Sequence, residues 1–396
     1  MENGAEVQQT AIDAFRKDSA WRWALGIAVG MRVFISALAA AMVRLYPLPP
    51  TPDELVWPYK GVTPIVGGAA ELLLGVWQRF DTNWYLHIAT QGYAPGDGTT
   101  VYFPLYPALM RLLGDLLAGN HLVTGLIIST TAYMGTLYYL FLLTQRELGG
   151  GAARRAIIYL ALFPTAFFFL AAYTEALFLL LVLASFHYAQ KDRPWLAGGL
   201  GFLAALTRLQ GVILLLPLTW ILLRHRGFRW RSLGWAGLSA LLVPLGTILF
   251  LAYQRYWVGE VSMLRTYEGQ LHARFVLPWE NLLASVQLIL SPEGSFVDLL
   301  NLLITFLFIV LMIAVWRKLP KEYGIYSAFT LLALMLRMTT LQPLVSMSRY
   351  VLAVFPAFML LGAWGQNPWV NRLILYPSIA LLVYLTGQFI LWGWVA

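Results

Sequence analysis

Val297-Asp-Leu-Leu-Asn-Leu-Leu-Ile-Thr-Phe-Leu-Phe-Ile-Val-Leu-Met-Ile-Ala-Val-Trp316, followed at once by Arg317, Lys318 and Lys321, is the stretch that decides the fold class. At a helical rise of about 1.5 Å per residue it reaches roughly 30 Å, the thickness of a bilayer's hydrocarbon core. Working outward, comparable apolar runs recur near residues 23–46, 121–144, 156–171, 174–190, 195–207, 209–223, 233–253, 323–338, 350–364 and 374–394. Together they make about eleven spans. The chain of 396 residues is 59% hydrophobic and 12% charged. A soluble domain carries about 25% charged residues, so this chain lacks the polar surface to cover a water-facing exterior. The expected class is an all-α polytopic membrane protein, with residues 1–396 forming one transmembrane domain.

The net charge of +8 could suggest a nucleic-acid partner, but the basic residues are not gathered on one face. Arg146, Arg154, Arg155, Lys191, Arg193, Arg224, Arg226, Arg229, Arg231, Arg317, Lys318 and Lys321 sit in short loops on alternating sides of the spans. That is the positive-inside pattern, and it places the N-terminus in the cytoplasm. Residues 1–20 are polar and are expected to form a short cytoplasmic helix. The first span runs past Ala37-Leu-Ala39 to Tyr46, longer than the apolar core of a signal peptide, so it is expected to remain as a span. With no cysteine in the chain, disulfides and thiolate metal sites are excluded.

Two long polar loops fall on the non-cytoplasmic side. Residues 47–120 begin with Pro47, Pro49, Pro50 and Pro52, which stop a helix. Amphipathic helices are expected over 71–80, 83–91 and 105–117, with a turn at Pro95-Gly-Asp-Gly98. Residues 254–296 carry Glu260, Arg265, Glu268, His272, Arg274 and Glu280.

The first loop holds the one long run that mixes an acid, a histidine, amides and aromatics: Arg79-Phe-Asp-Thr-Asn-Trp-Tyr-Leu-His-Ile-Ala-Thr-Gln-Gly-Tyr93, then Tyr102-Phe-Pro-Leu-Tyr-Pro107. Asp81 stands just before a helical pattern, so it is either an N-cap or a catalytic carboxylate able to deprotonate a hydroxyl. Trp84, Tyr85 and His87 adjoin it at the depth of a lipid head group, with Tyr102 following, and are candidate substrate contacts. Glu175, in Tyr173-Thr-Glu-Ala-Leu-Phe178, is an acid at a span boundary. It is either a substrate contact or the partner of a nearby arginine. Arg208 and Arg349 stand at outer tips, with Arg337 close by. Each either snorkels to the interface or joins the others in holding an anion such as a lipid phosphate. Arg32, inside the first span, is expected to face the bundle and pair with an acid or a phosphate. The five histidines show no metal spacing, and there is no phosphate-cradling glycine loop or nucleophile elbow.

Taken in order, Phe80-Asp81, Tyr85-Leu-x-Ile-Ala-x-x-Gly-Tyr93, Phe103-Pro-Leu-Tyr-Pro107, Tyr173-Thr-Glu-Ala-Leu-Phe178 and Thr207-Arg-x-x-Gly211 resemble the PIG-V family. These are GPI mannosyltransferase 2-like members of the GT-C glycosyltransferases. The resemblance spans most of the chain and loosens beyond Gln254. Where the family reads Trp-Asp this chain has Phe80-Asp81, one aromatic for another. The resemblance implies a GT-C-like bundle that moves a sugar, typically mannose, from a polyprenyl- or dolichyl-phosphate donor to a lipid-linked or exported acceptor. The anomeric carbon would be inverted, Asp81 would be the base, and no cofactor is implied. A lipid-linked sugar flippase is the alternative, but it leaves the amphipathic first loop without a purpose. Because the leaving group is a lipid monophosphate, no metal is needed to neutralise a diphosphate. Turnover is therefore expected to survive exhaustive chelation; activity lost to the chelator and restored by a single cation would contradict this.

Overall fold

The computed structural model describes residues 2–46, 61–259, 263, 273–339 and 342–395. Pro47, Pro49, Pro50, Pro52, Glu260, Arg265, Glu268 and His272 lie outside the described residues. The chain begins with α1 (Glu2–Leu45), a single helix that absorbs the separate N-terminal helix expected from the sequence. The first loop follows as α2 (Gly68–Leu73), a 3-10 turn over Gly75–Trp77, α3 (Asp81–Gln91) and α4 (Leu105–Leu116). The helix expected over 71–80 is therefore broken, whereas the other two form within two residues of their expected bounds.

Next come α5 (His121–Ala161), α6 (Glu175–Gln190), α7 (Pro194–Thr207), α8 (Leu215–His225) and α9 (Leu238–Tyr253). Gly149, at φ 84° and ψ 167°, breaks α5 where the sequence places the boundary between two spans. Glycine takes that conformation without steric penalty. The span expected over 156–171 ends early, at Ala161, because Pro164 cannot continue a helix. A 3-10 turn over Ala166–Phe169 and a bend carry the chain on to Glu175.

The second loop supplies β1 (Ala273–Phe275) and α10 (Pro278–Ile289). They are followed by α11 (Phe296–Lys318), α12 (Lys321–Met335), β2 (Arg337–Thr339), α13 (Met347–Tyr350), α14 (Phe355–Trp364) and α15 (Pro368–Ile390). A reciprocal cap starts α11: the Asp298 N–H donates to Ser295 Oγ at 3.2 Å and the Ser295 N–H returns to Asp298 Oδ2 at 3.0 Å. The two short strands pair antiparallel, Arg274 opposite Met338.

Apart from the segment over 156–171, which leaves the α-helix after Ala161, each expected apolar segment is largely helical. Among the described residues five helices are long and apolar enough to cross a membrane, or six if the pair bent by 83° near Val354 is one span. The chain is thus a multi-pass, all-helical membrane protein with one small ladder. Its core centres on residues 163–179, every one of them buried. Inside that core Phe167, Phe169 and Tyr173 are nearly inaccessible.

Arg32 faces the bundle as expected, but its partners are not acidic. It donates to the Leu170 carbonyl at 2.7 Å and to the Thr130 hydroxyl, and lies 5.2 Å from the Trp77 ring. The Leu170 carbonyl, just past the 3-10 turn, and the Thr130 hydroxyl offer the guanidinium acceptors without a second buried charge.

α7 and α9 cross closely through glycines. A Cβ at Gly198 would collide with the Ser239 carbonyl, and one at Gly246 would lie 2.5 Å from the Phe202 carbonyl. Gly199, one residue on, has open space around it. Gly198→Ala is expected to lower the thermal midpoint in detergent, at a cost of about 1–3 kcal/mol from overpacking. Gly199→Ala should leave the midpoint unchanged or raise it by helix propensity. Equal effects from the two would contradict this packing.

Candidate active site

Phe80, directly before α3, has φ 45° and ψ −116°, a region that disfavours residues with a Cβ. Such strain costs about 1–3 kcal/mol and persists only where the surroundings impose it. Here the Phe80 ring is packed against Phe389, Trp392 and Trp394 at centroid distances of 5.3 to 5.7 Å. Buried Arg79 donates to the Ile390 carbonyl at 2.7 Å and lies 4.7 Å from the Trp392 ring. The Tyr173 hydroxyl completes the clamp, accepting from the Asp81 N–H at 3.1 Å and donating to the Arg79 carbonyl at 3.2 Å.

Asp81 is thereby the first residue of α3, and the N-cap position belongs to Phe80, which makes no side-chain cap. The capping role weighed from the sequence is not the one adopted. Asp81 Oδ2 instead lies 2.7 Å from Arg349 Nη1, and Oδ1 accepts from the Tyr102 hydroxyl at 3.3 Å. Burial, reinforced by the Asp81 charge, pushes the Tyr102 phenol well above its ordinary range. Tyr102 therefore stays protonated as a donor to the carboxylate.

Arg349 is shared. Its Nε lies 2.5 Å from Glu175 Oε1, and that same oxygen takes Arg208 Nη1 at 2.7 Å. The guanidinium also sits 4.7 Å from the Phe168 ring and 4.6 Å from the Tyr173 ring, an aromatic cage for a cation. Glu175 is thus the partner of two arginines, so that of its two sequence readings the paired one is realised. Its Oε2 is buried with no hydrogen-bond partner. Exposure separates the two acids: the Asp81 side chain is 25% exposed and that of Glu175 is 3%.

The loop that delivers Arg349 is held by amides. Ser346 takes φ 61° and Leu344 φ 50°. Asn281 Oδ1 accepts from the Leu344 N–H at 2.7 Å, and Asn301 Oδ1 from the Ser348 N–H at 2.9 Å. Thr165 donates to the Ser348 carbonyl at 2.7 Å. A small, partly open cleft lies on the Glu175 side of Arg349, walled by Glu175, Arg208, Gln210, Arg349 and Tyr350 among others. Asp81 is not part of its wall and meets it through Arg349.

The fold thus gathers Asp81, Tyr102, Glu175, Arg208 and Arg349. Tyr85 joins through its hydroxyl, 3.4 Å from that of Thr174, and Trp84 stacks on Tyr102 at 5.3 Å. Arg337 stands one step out, 6.0 Å from the Tyr350 ring; Arg208 and Arg349 lie 4.9 and 5.4 Å from the same ring. His87 faces Asp97 at 3.8 Å on another side of α3. Sequence reasoning gave no role to Tyr173, Tyr350, Asn281 or Asn301. Asn301, an amide inside an apolar span, carried a signal that could have exposed it. Among the described residues no three His, Asp or Glu side chains converge as a metal site.

No protein-family model matches the chain, and no curated protein does, so the PIG-V resemblance stands on its quoted motifs. Solved structures do match in outline. One is the Archaeoglobus fulgidus oligosaccharyltransferase in complex with zinc and sulfate: 12% identity over 90% of this chain and 53% of that one, at a TM-score of 0.46. Another is the Archaeoglobus fulgidus oligosaccharyltransferase AglB with an inhibitory peptide and a dolichol-phosphate: 14% identity over 91% and 56%, at 0.42. The chain spans about half the length of these proteins. Likenesses at this level assign no activity to it.

Truncating Arg349 would take the ion-pair partner from half-buried Asp81 and leave buried Glu175 with Arg208 alone. Arg349→Met is expected to cost about 3–5 kcal/mol in detergent unfolding. Asp81→Asn, at the exposed end of the chain of charges, should cost at most about 1 kcal/mol. The reverse order would show that the cluster is not held together by Arg349.

Proposed function

We propose that the chain is an inverting GT-C-type glycosyltransferase that moves a sugar from a polyprenyl- or dolichyl-phosphate donor to a lipid-linked or exported acceptor. Mannose is the sugar favoured by the PIG-V resemblance. The active site would lie on the non-cytoplasmic face, and Asp81 would be the base. The observation that carries this reading is the sharing of Arg349 between the solvent-reachable carboxylate of Asp81 and the arginine-lined cleft beside Glu175.

A lipid phosphate entering the cleft meets Arg208 and Arg349, with Arg337 behind the Tyr350 ring. As Arg349 turns to the phosphate it gives up Asp81 Oδ2, and the freed carboxylate can accept a proton from the acceptor hydroxyl. The acceptor oxygen forms a bond to the anomeric carbon as the bond from that carbon to the phosphate oxygen breaks. The leaving phosphate departs into a pocket already carrying guanidinium charge. Glu175 Oε2, buried without a partner, offers a hydrogen-bond acceptor at the cleft wall, and Trp84, Tyr85 and Tyr102 form an aromatic flank for substrate. His87 is placed away from this flank and is assigned no part.

Purified protein in detergent, given polyprenyl-phosphate mannose and a membrane lipid extract, is expected to consume the donor and label a lipid or glycan. In detergent there is no sealed compartment, so a flippase would consume nothing. Asp81→Asn should keep the wild-type melting profile and lose about 10²–10⁴-fold in turnover. Undiminished turnover in that variant would remove Asp81 from the chemistry.

A further inference from the structure

The second external loop is polar in sequence, yet α10 (Pro278–Ile289) is turned inside out. Its buried residues are Asn281 and Ser285. Its outward residues include Trp279 at 58% exposure, Leu283 at 60% and Val286, continuing to Leu290 at 82% just past the helix. At 100° per residue these four fall within one narrow arc. Glu280 and Gln287, also exposed, lie together along one edge of that arc. The opposite face holds Asn281, whose amide donates to the Met335 and Arg337 carbonyls at 2.9 and 2.8 Å and accepts from the Leu344 N–H.

We infer that α10 lies in the plane of the bilayer, its Trp279–Leu290 stripe seated among the acyl chains of the leaflet on the Asp81 side and its Glu280–Gln287 edge at the head groups. Two observations name lipid as the occupant. First, the stripe is continuous with an existing lipid face. α10 packs on α11, the most hydropathic of the spans, whose Phe296, Leu299, Leu303 and Phe306 are exposed on the outside of the bundle. Second, the apolar arc is bordered by a polar edge, the segregation that an interfacial helix needs and a fully immersed one does not. The side of the membrane follows from the α11 N-terminus. Asn301, near that end, holds Ser348, and the next residue, Arg349, holds Asp81.

Seating α10 in lipid fixes more than the helix. Asn281 ties it to the Met335 and Arg337 carbonyls and to the strained turn ahead of Arg349, so the leaflet surface and the cation of the proposed site are linked through one side chain. This inference needs only the membrane architecture and stands whether or not the chain transfers sugars.

The chain has no cysteine, so single labels can be placed without background. Leu283→Cys and Leu290→Cys are spin-labelled in liposomes, with Leu303→Cys as the acyl-chain reference and Glu293→Cys as the aqueous one. Collision rates with oxygen and with a water-soluble nickel chelate are then measured. Both α10 labels are expected to show an oxygen-to-nickel ratio like that at Leu303 and several-fold above that at Glu293. A ratio like that at Glu293 overturns the proposal, placing the helix in water. Suppression of both rates with an immobilised label also overturns it, since protein, whether a second copy or another segment, would then be the cover. Both sites are on the surface, so if one variant fails to fold the other carries the test.

Discussion

One guanidinium holds one end of this bundle together. Arg349 reaches Glu175 with one nitrogen and Asp81 with another, while Arg208 shares the Glu175 oxygen. Four charges on four separate segments are so joined; Glu175 and Arg349 are buried, Arg208 mostly so, and Asp81 partly exposed. A charge in such a place is costly unless paired, so removing any member of the chain taxes the others. The aromatic rings of Phe168 and Tyr173 beside Arg349 supply the rest of its solvation without adding a third acid.

The strained backbones follow from that constraint. Asp81 and Arg349 meet only because Phe80 and Ser346 adopt positive φ just ahead of them. Neither residue is glycine, so neither conformation is favoured locally. Each is imposed from outside: Phe80 by the rings of Phe389, Trp392 and Trp394, and the Ser346 turn by the amides of Asn281 and Asn301. Through such turns packing energy fixes the placement of charged groups.

Much of the architecture was legible because hydropathy is a local property. The apolar runs, the break at Gly149 and the helices of the first loop could be read segment by segment. What could not be read was tertiary. Nothing local tells that the span starting near residue 156 stops at Ala161 and spends the next dozen residues as buried, mostly non-helical chain, although Pro164 hints at it. The gathering of Asp81, Glu175, Arg208 and Arg349 was visible as a set of polar residues on one side of the membrane, but not who pairs with whom. Their partners are 33 or more residues apart in sequence. The neighbour of His87 was likewise not legible: its ring lies 3.8 Å from Asp97, ten residues further along the loop. Arg32 was expected to need an anion, and the Leu170 carbonyl and Thr130 hydroxyl serve instead.

The bond from Arg79 to the Ile390 carbonyl links residues 311 apart, and the rings that impose the Phe80 backbone come from the same distant region. A ribosome feeding this chain into a membrane delivers Asp81 early and its clamp almost last. Until α15 arrives, the acid has no fixed direction. A half-inserted chain thus carries Asp81 without the packing that orients it, and the cluster around Arg349 can close only when synthesis is nearly complete.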